Sequence, residues 1–82
     1  MNIRDIELRT GLERANIRYY EKEGLLSPNR LSNGYRDYSE DDVETLLRIK
    51  LLRELEVSVA EIARLQKNET ALREVMASRL ES

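Results

Sequence analysis

The chain contains no cysteine and no histidine, and it has neither tryptophan nor phenylalanine. Without cysteine it can form no disulfide and no thiolate metal site, a composition that suits a reducing cytoplasm. Without histidine it lacks the commonest general base and metal ligand. Enzymatic chemistry would have to use carboxylates, lysine or tyrosine, and no paired arrangement of these groups suggests a reaction. We therefore expect a protein that is not an enzyme and that needs neither a metal nor a cofactor.

Long hydrophobic runs are also absent. Because 37% of the residues are charged, no segment is apolar enough to be predicted to span a membrane. Arg4, Asp5 and Glu7 interrupt any apolar stretch at the start, so no signal peptide is predicted. We expect a cytoplasmic protein. Its 82 residues correspond to one small domain with a limited core, which partner chains could complete.

Charge is distributed unevenly along the chain. The net charge is −2, which at first sight argues against a polyanionic partner. Residues 1–36, however, carry seven Lys or Arg and five Asp or Glu, a net +2, whereas residues 37–82 carry a net −4. A basic front half allows one face to meet phosphate while the rest keeps the protein soluble.

The first two predicted helices are short and close together. Ile3, Ile6 and Leu8 predict a helix that ends at Gly11, and a second helix follows from about Glu13 to Glu23. Two short helices joined by three or four residues that include glycine are typical of a helix-turn-helix. A plain αα-hairpin has the same connection, so this spacing alone does not decide between them.

The second helix has two distinct faces. Ile17 and Tyr20 share an apolar face, which Leu25 and Leu26 close after the stop at Gly24. A cationic ridge runs beside it, because basic residues recur every four positions at Arg14, Arg18 and Lys22. An ordinary amphipathic surface helix would show the same arrangement.

Residues 29–38 predict a β-hairpin. Asn33-Gly34 is the signature of a type I′ turn, which needs positive φ at both positions. Period-two alternation places Arg36 and Tyr38 on one side of the ribbon. Because it also carries Arg30 and tyrosines, this hairpin could form a wing that contacts a phosphate backbone. A solvated loop with surface arginines would have the same sequence features.

The second half of the chain predicts further helices. Ser39 caps a third helix that extends to about Leu55 and is apolar on two sides, so we expect neighbours to cover both sides. Ser58 and Glu61 form a capping box that opens a short helix, and residues 68–70 are predicted to interrupt it. The last segment has apolar residues at the spacing of a coiled-coil seam: Leu72, Val75, Met76 and Leu80. We assign residues 1–68 to one domain and residues 69–82 to the start of a dimerisation helix.

Together these features resemble the N-terminal DNA-binding domain of the MerR family of bacterial transcription regulators. The resemblance covers residues 2–66. It rests on Thr10-Gly11-Leu12, IRYYEKEGLL (17–26) with Pro28 and Arg30, NGYRDYSEDD (33–42) and LLRELEVSVAEI (51–62). It implies a mainly α fold: a winged helix-turn-helix with a small β-hairpin wing, then a helix pair and the start of an antiparallel dimerisation helix. It also implies a homodimer that binds a palindromic promoter and twists this double-stranded DNA so that RNA polymerase can use it.

The resemblance further implies roles for individual residues. Arg18 and Tyr20, and Arg36 and Tyr38 in the wing, match residues that grip the DNA backbone. Tyr19 matches a position near the groove, Arg53 one that holds phosphate, and Arg14, Ala15 and Asn16 positions of base choice. Arg30 joins these DNA-binding candidates through its place in the wing. The predicted dimerisation residues are Leu72, Val75, Met76 and Leu80.

Departures from the family pattern leave other interpretations open. Glu13 replaces a serine-type cap where the helix should approach phosphate. Glu56 replaces a glycine at the end of the third helix, where we expect a turn that is either strained or differently closed. An architectural, excisionase-like protein that bends DNA without activating polymerase has the same fold. A helical protein-interaction module is a third possibility.

Overall fold

The structure, a computed structural model, describes the backbone of residues 1–81 and the side chains as far as Ala77. Its elements in chain order are α1 (Ile3–Thr10), α2 (Arg14–Lys22), β1 (Asn29–Arg30), β2 (Arg36–Asp37), α3 (Glu40–Glu54) and α4 (Val59–Glu81). The two strands pair antiparallel, with Arg30 opposite Arg36. The predicted class, mainly helical with a small hairpin, is confirmed. No helix in the described part is long and apolar enough to cross a bilayer.

One apolar core joins all four helices. Its buried residues come from every helix, from the segment after α2 and from the end of the hairpin: Ile6, Ile17, Tyr20, Leu25, Leu26, Tyr38, Val43, Leu46, Ile49 and Ile62. The face predicted for the second helix, with its two following leucines, is therefore buried as expected. This core fixes the first helix pair and the hairpin relative to each other.

The turn between α1 and α2 is closed by polar contacts. Gly11 adopts a left-handed conformation with φ 73°, as its place after the helix predicts. The Thr10 hydroxyl donates to the Ile6 carbonyl oxygen at 2.7 Å. Lys50 of α3 donates from Nζ to the Thr10 carbonyl oxygen at 3.0 Å. Because α3 thus caps the end of α1, the helix-turn-helix is tied to the third helix.

Helix α2 lacks a side-chain cap from its own N-cap residue but has a well-formed C-terminal cap. Glu13 occupies the N-cap position, and its side chain makes no capping hydrogen bond, as its replacement of a serine-type cap predicts. At the other end Gly24 has φ 79°, and the Leu25 backbone N–H donates to the Tyr20 carbonyl oxygen at 3.0 Å. This is the Schellman ending that only a left-handed residue allows, and it turns Leu25 into the core.

The hairpin turn differs from the prediction. Gly34 has φ 87°, but Asn33 does not have the positive φ that a type I′ turn requires. Instead, the Gly34 backbone N–H donates to the Leu31 carbonyl oxygen at 2.9 Å, and the Leu31 N–H donates to the Tyr35 carbonyl oxygen at 2.8 Å. The loop therefore has three residues, with glycine at the single left-handed position that such loops need.

Helix α3 has a strong start and a strained end. Ser39 and Asp42 form a reciprocal capping box, with donor–acceptor distances of 2.9 and 3.2 Å. After the helix, Glu56 has φ 65° and is the only residue other than glycine with positive φ in the described chain. The Val57 N–H donates to the Leu52 carbonyl oxygen at 2.9 Å, so this end is a Schellman motif without its usual glycine. Of the two outcomes expected at Glu56, a strained turn or a differently closed one, the structure has the strained turn.

The prediction that α3 is covered on both sides is wrong. Val43, Leu46 and Ile49 are buried, but an outer stripe of the same helix is 43 to 66% exposed; it consists of Leu47, Leu51 and Leu55. The reason lies in α4, which contributes Ile62 to the core and then continues away as one helix, with residues 70–77 all exposed. No element in the described chain folds back to cover the outer stripe.

The predicted break at residues 68–70 is also wrong, because α4 runs through it without interruption. The segment contains neither glycine nor proline, and its polar side chains find partners along or beside the helix. The Thr70 hydroxyl donates to the Gln66 carbonyl oxygen at 3.0 Å, and Glu69 accepts from Arg48 of α3 at 2.6 Å. The backbone therefore has no break at residue 69, where the predicted dimerisation helix was expected to start.

Only half of the predicted capping box at the start of α4 forms. The Glu61 backbone N–H donates to the Ser58 hydroxyl at 3.1 Å. The Glu61 carboxylate pairs instead with Arg64, at 2.6 Å. A neighbouring cation three residues on competes successfully for this carboxylate because the pair shares one helix face.

Candidate nucleic-acid interface

An open cleft of about 540 Å³ lies between α2 and the hairpin. Arg14 and Arg18 line it from α2, and Arg36 lines it from the hairpin. Its other lining residues come from the hairpin and the first residues of the chain: Met1, Asn2, Ile3, Leu31, Asn33, Tyr35, Asp37 and Tyr38. The structure thus brings cationic side chains of the second helix and of the predicted wing to one surface.

Arg14 stands at the first turn of α2 and is held by a carboxylate from α1. Its Nη2 lies 2.9 Å from Glu7 Oε1, and its backbone N–H donates to Glu7 Oε2 at 3.2 Å. The hydrogen bond from the Arg14 side chain lowers the pKa of Glu7. Glu7 therefore supplies the cap that Glu13 does not. Sequence reasoning missed Glu7, because no local pattern indicates a contact between residues seven apart on different helices.

The remaining outer face of α2 is open to solvent. Ala15 and Asn16, predicted with Arg14 to choose bases, are exposed in the first turns of the helix. Arg18 is exposed one turn later, and within the described side chains it has no ion-pair partner, in contrast to Arg14. Arg18 can therefore pair with an external anion without first giving up an internal ion pair.

The two adjacent tyrosines of α2 have different environments. Tyr19 is 47% exposed, whereas Tyr20 is 7% exposed and belongs to the core. Their ring centroids lie 5.8 Å apart with the planes tilted by 52°. Tyr20 thus has the core role expected of it, and its contact with DNA stays a prediction. Tyr19 is the tyrosine of this pair whose ring is accessible.

The wing arginines converge on one carboxylate of α2. Arg36 Nε lies 2.8 Å from the Glu21 carboxylate, and Arg30 Nη2 lies 3.9 Å from it. The hydrogen bond to Glu21 raises the pKa of Arg36. Glu21 was not among the predicted site residues, although its position three residues after Arg18 places it on the same helix face. That spacing is the signal by which it could have been found.

Tyr38 does not have the exposed position that a grip on the DNA backbone needs. The residue is 2% exposed, and its hydroxyl is buried without a hydrogen-bond partner in the described chain. Burial, followed by the nearby charge of Glu21, raises the pKa of the hydroxyl. Tyr38 directly follows β2, and the packing of the hairpin on the apolar core turns its side chain inward. In this conformation Tyr38 is a core residue beneath the wing, and a phosphate cannot reach its hydroxyl.

The other predicted residues lie away from the cleft. Arg53 is in the last turn of α3, and its Nη1 donates to the Val57 carbonyl oxygen at 2.9 Å. The predicted dimerisation residues Leu72, Val75 and Met76 are 59, 52 and 56% exposed on α4. The side chain of Leu80 is outside the described residues. In the part that the structure describes, no group of three His, Cys, Asp or Glu side chains could hold a metal ion.

Three comparisons with known proteins show what this chain is similar to. The model of the MerR HTH family regulatory proteins matches residues 1–69. The HTH-type transcriptional regulator HmrR of Rhizobium leguminosarum bv. viciae is 46% identical over 65 residues, which are 79% of this chain and 50% of HmrR. The HTH-type transcriptional regulator TnrA of Bacillus subtilis is 46% identical over 65 residues, which are 78% of this chain and 59% of TnrA. The chain thus spans about half the length of the curated relatives that it matches.

A solved structure shows the same fold at lower sequence similarity. A protein described as a MerR family transcriptional regulator from Listeria monocytogenes superimposes with a TM-score of 0.68 at 24% identity, covering 99% of this chain and 78% of that one. The names of the relatives are those of transcription regulators, which are not enzymes. Because the family model matches residues 1–69, the chain belongs to the MerR HTH family of regulatory proteins.

Proposed function

We propose that this chain is the DNA-binding part of a sequence-specific transcription regulator, which acts as a dimer on a palindromic promoter site and distorts the promoter DNA. The observation that supports this most is the cleft in which Arg14 and Arg18 of α2 meet Arg36 of the wing. Cations on a helix and on an adjacent hairpin suit a duplex whose major groove and flanking backbone are contacted together.

The proposed roles follow from the chemistry and exposure of each side chain. Arg18 and the wing residues Arg36 and Arg30 bind phosphate, since a planar guanidinium donates two parallel hydrogen bonds to it. Arg14 contacts a base edge, where the same fork matches guanine O6 and N7. Its neighbours Ala15 and Asn16 add base contacts, and Tyr19 contacts the groove wall. Arg53 contacts a phosphate beyond the cleft.

The proposed dimer forms through α4, where Leu72, Val75 and Met76 are exposed at seam spacing. Residues 70–77 of α4 are all exposed, so packing within the described chain does not stabilise this part of the helix, and a partner helix would supply that packing. A two-fold dimer places its two second helices on half-sites of an inverted repeat. The dimer then acts on RNA polymerase indirectly, because it alters the shape of the promoter. The protein is proposed to be cytoplasmic and associated with the nucleoid.

Titration of a fluorescently labelled palindromic promoter fragment at several salt concentrations tests this proposal. We expect tighter binding than to a scrambled duplex, and affinity that falls steeply as salt rises because phosphate contacts release counterions. Arg18→Ala should weaken binding and lower the salt slope by about 1, as expected for one lost phosphate contact. The matched control is Arg64→Ala, which removes the same charge from α4, away from the cleft.

Equal binding to both duplexes by a chain shown to dimerise would contradict sequence-specific regulation. Bending of the fragment without activation of a promoter that has an over-long spacer would favour the architectural alternative instead. Unchanged DNA affinity in both Arg18→Ala and Arg36→Ala would contradict the roles given to these residues.

A further inference from the structure

Glu21 is a carboxylate in an unexpected place. It lies on the same face of α2 as Arg14 and Arg18, seven residues after the first and three after the second. This is the face proposed to meet DNA, where a negative charge repels phosphate. Its side chain is only 16% exposed, so the wing covers it. A carboxylate that is largely removed from water is costly unless it is paired, so the partners of Glu21 indicate what it does.

Those partners are the two arginines of the wing. Arg36 donates through Nε, at 2.8 Å, and Arg30 approaches to 3.9 Å. The Nε bond uses only one part of the Arg36 guanidinium. Its two Nη amino groups make no hydrogen bond to any described residue, and the side chain, 33% exposed, lines the cleft. The Arg36 guanidinium is thus held through Nε, while its two Nη groups, the unused fork, remain available to another acceptor.

We infer that Glu21 is a positioning residue, which holds Arg36 of the wing against α2 so that the unused Nη fork is presented to a DNA phosphate. This inference rests on the proposed DNA-binding function. A two-stranded ribbon is marginal on its own, so the wing needs such an anchor. An arginine that is already ordered loses less conformational entropy when it binds phosphate. The benefit of order has to exceed the repulsion between Glu21 and the DNA.

The negative charge of Glu21 and its ordering of Arg36 have opposite effects on DNA affinity, so the two can be distinguished by experiment. If Glu21 acted only through its charge, its removal would tighten DNA binding. If Glu21 positions Arg36, its removal weakens DNA binding in spite of the lost negative charge. The matched control is Glu23, an exposed carboxylate two residues further along, which has no ion-pair partner in the described part of the chain.

The experiment measures binding of a labelled palindromic promoter duplex by Glu21→Ala and Glu23→Ala at several salt concentrations. We expect Glu23→Ala to bind as tightly as the parent or more tightly. Glu21→Ala should bind about tenfold more weakly, as for one charge-assisted hydrogen bond, with a salt slope reduced by about 1. In an Arg36→Ala background, Glu21→Ala should cause no further loss, because no guanidinium is left to position.

Two outcomes would overturn the inference. One is tighter binding by Glu21→Ala, equal to that of Glu23→Ala. The other is the same loss with and without Arg36, which would mean that Glu21 acts through general folding. If a thermal melt shows that Glu21→Ala is not folded at the assay temperature, the variants Glu21→Gln and Glu23→Gln are used in place of the two alanine variants. Gln is a weaker acceptor for Nε, so Glu21→Gln should then bind more weakly than Glu23→Gln, and equal affinities would contradict the inference.

A failure of the proposed function is separable from a failure of this inference. If the parent chain binds no DNA, the proposed function is wrong, but the ion pair can still be examined in the free protein by NMR. The Arg36 Nε–H should exchange slowly with water in the parent and rapidly in Glu21→Ala. Equally rapid exchange in both proteins would overturn the positioning role.

Discussion

The strained residue after α3 gives a prediction of stability whose sign is clear. Glu56 has φ 65°, a left-handed conformation in which its Cβ is too close to the backbone. It nevertheless occupies the position of a Schellman motif that favours glycine, with the Glu56 N–H donating to the Arg53 carbonyl oxygen at 3.0 Å. The side chain is exposed, so removing it leaves no cavity. Glu56→Gly should therefore stabilise the fold.

The expected gain is the difference between two terms. A left-handed residue with a Cβ costs about 1–2 kcal/mol, which glycine recovers. Glycine in turn makes the unfolded chain more flexible, which costs about 0.4–1 kcal/mol. The net increase in the free energy of unfolding should be about 0.5–1 kcal/mol. For a domain of this size it corresponds to a rise in Tm of about 3–6 °C.

Urea denaturation followed by circular dichroism, at one fixed protein concentration, measures the change. Glu56→Ala is the control, because it removes the same charge but keeps the Cβ, and we expect its stability to stay close to that of the parent. A gain from Glu56→Ala as large as that from Glu56→Gly would show that charge, and not backbone conformation, is the cause. A loss of stability in Glu56→Gly would refute the reasoning altogether.

Three further predictions concern single side chains. Ser39→Ala should lower the free energy of unfolding by about 1 kcal/mol in urea denaturation, because it removes the capping box of α3, and an unchanged midpoint would contradict this. Tyr38→Phe should leave stability unchanged or raise it by up to about 1 kcal/mol, since the buried hydroxyl has no partner, whereas a clear loss would reveal one. Glu7→Gln should destabilise the fold at neutral pH. Because Arg14 lowers the pKa of Glu7 below its ordinary value of 4.5, this stabilisation is present above about pH 4.5 and is lost as pH falls through the folded-state pKa. The difference between variant and parent should thus vanish in acid, and a difference independent of pH would exclude the ion pair as its source.

The local signals in the sequence were sufficient for most of the helices. Gly11 and Gly24 end α1 and α2 with positive φ, and Ser39 caps α3. Each of these features depends on residues that are at most five apart, so the sequence contains all the information needed. The strain at Glu56 was predictable only by comparison with a family that has glycine there, since nothing in the adjacent residues indicates a left-handed turn.

The features that the sequence did not predict depend on contacts between elements. Residues 68–70 read as a break because they are polar, but Glu69 pairs with Arg48 of α3, and the helix continues. The inward position of Tyr38 follows from the packing of the hairpin on the core. Glu7 and Glu21 were not among the predicted site residues, yet each holds an arginine of the candidate interface. Ion pairs between distant residues leave no periodic pattern in a sequence.

The net charge of −2 does not oppose the proposed function, because electrostatic attraction in salt solution is local. At physiological salt the field of an exposed charge decays over about 8 Å, so acids far from the cleft have little effect on phosphate bound there. The molecule extends over 43 Å in its longest dimension. Much of the acidity has a structural role elsewhere, as in Glu40, which lies in the first turn of α3 and pairs with Arg9 at 2.7 Å. Only carboxylates inside the interface are close enough to repel bound phosphate. Glu21 is one of them, but the wing covers it. Its repulsion of DNA is offset by the ordering of Arg36, which then binds phosphate more readily.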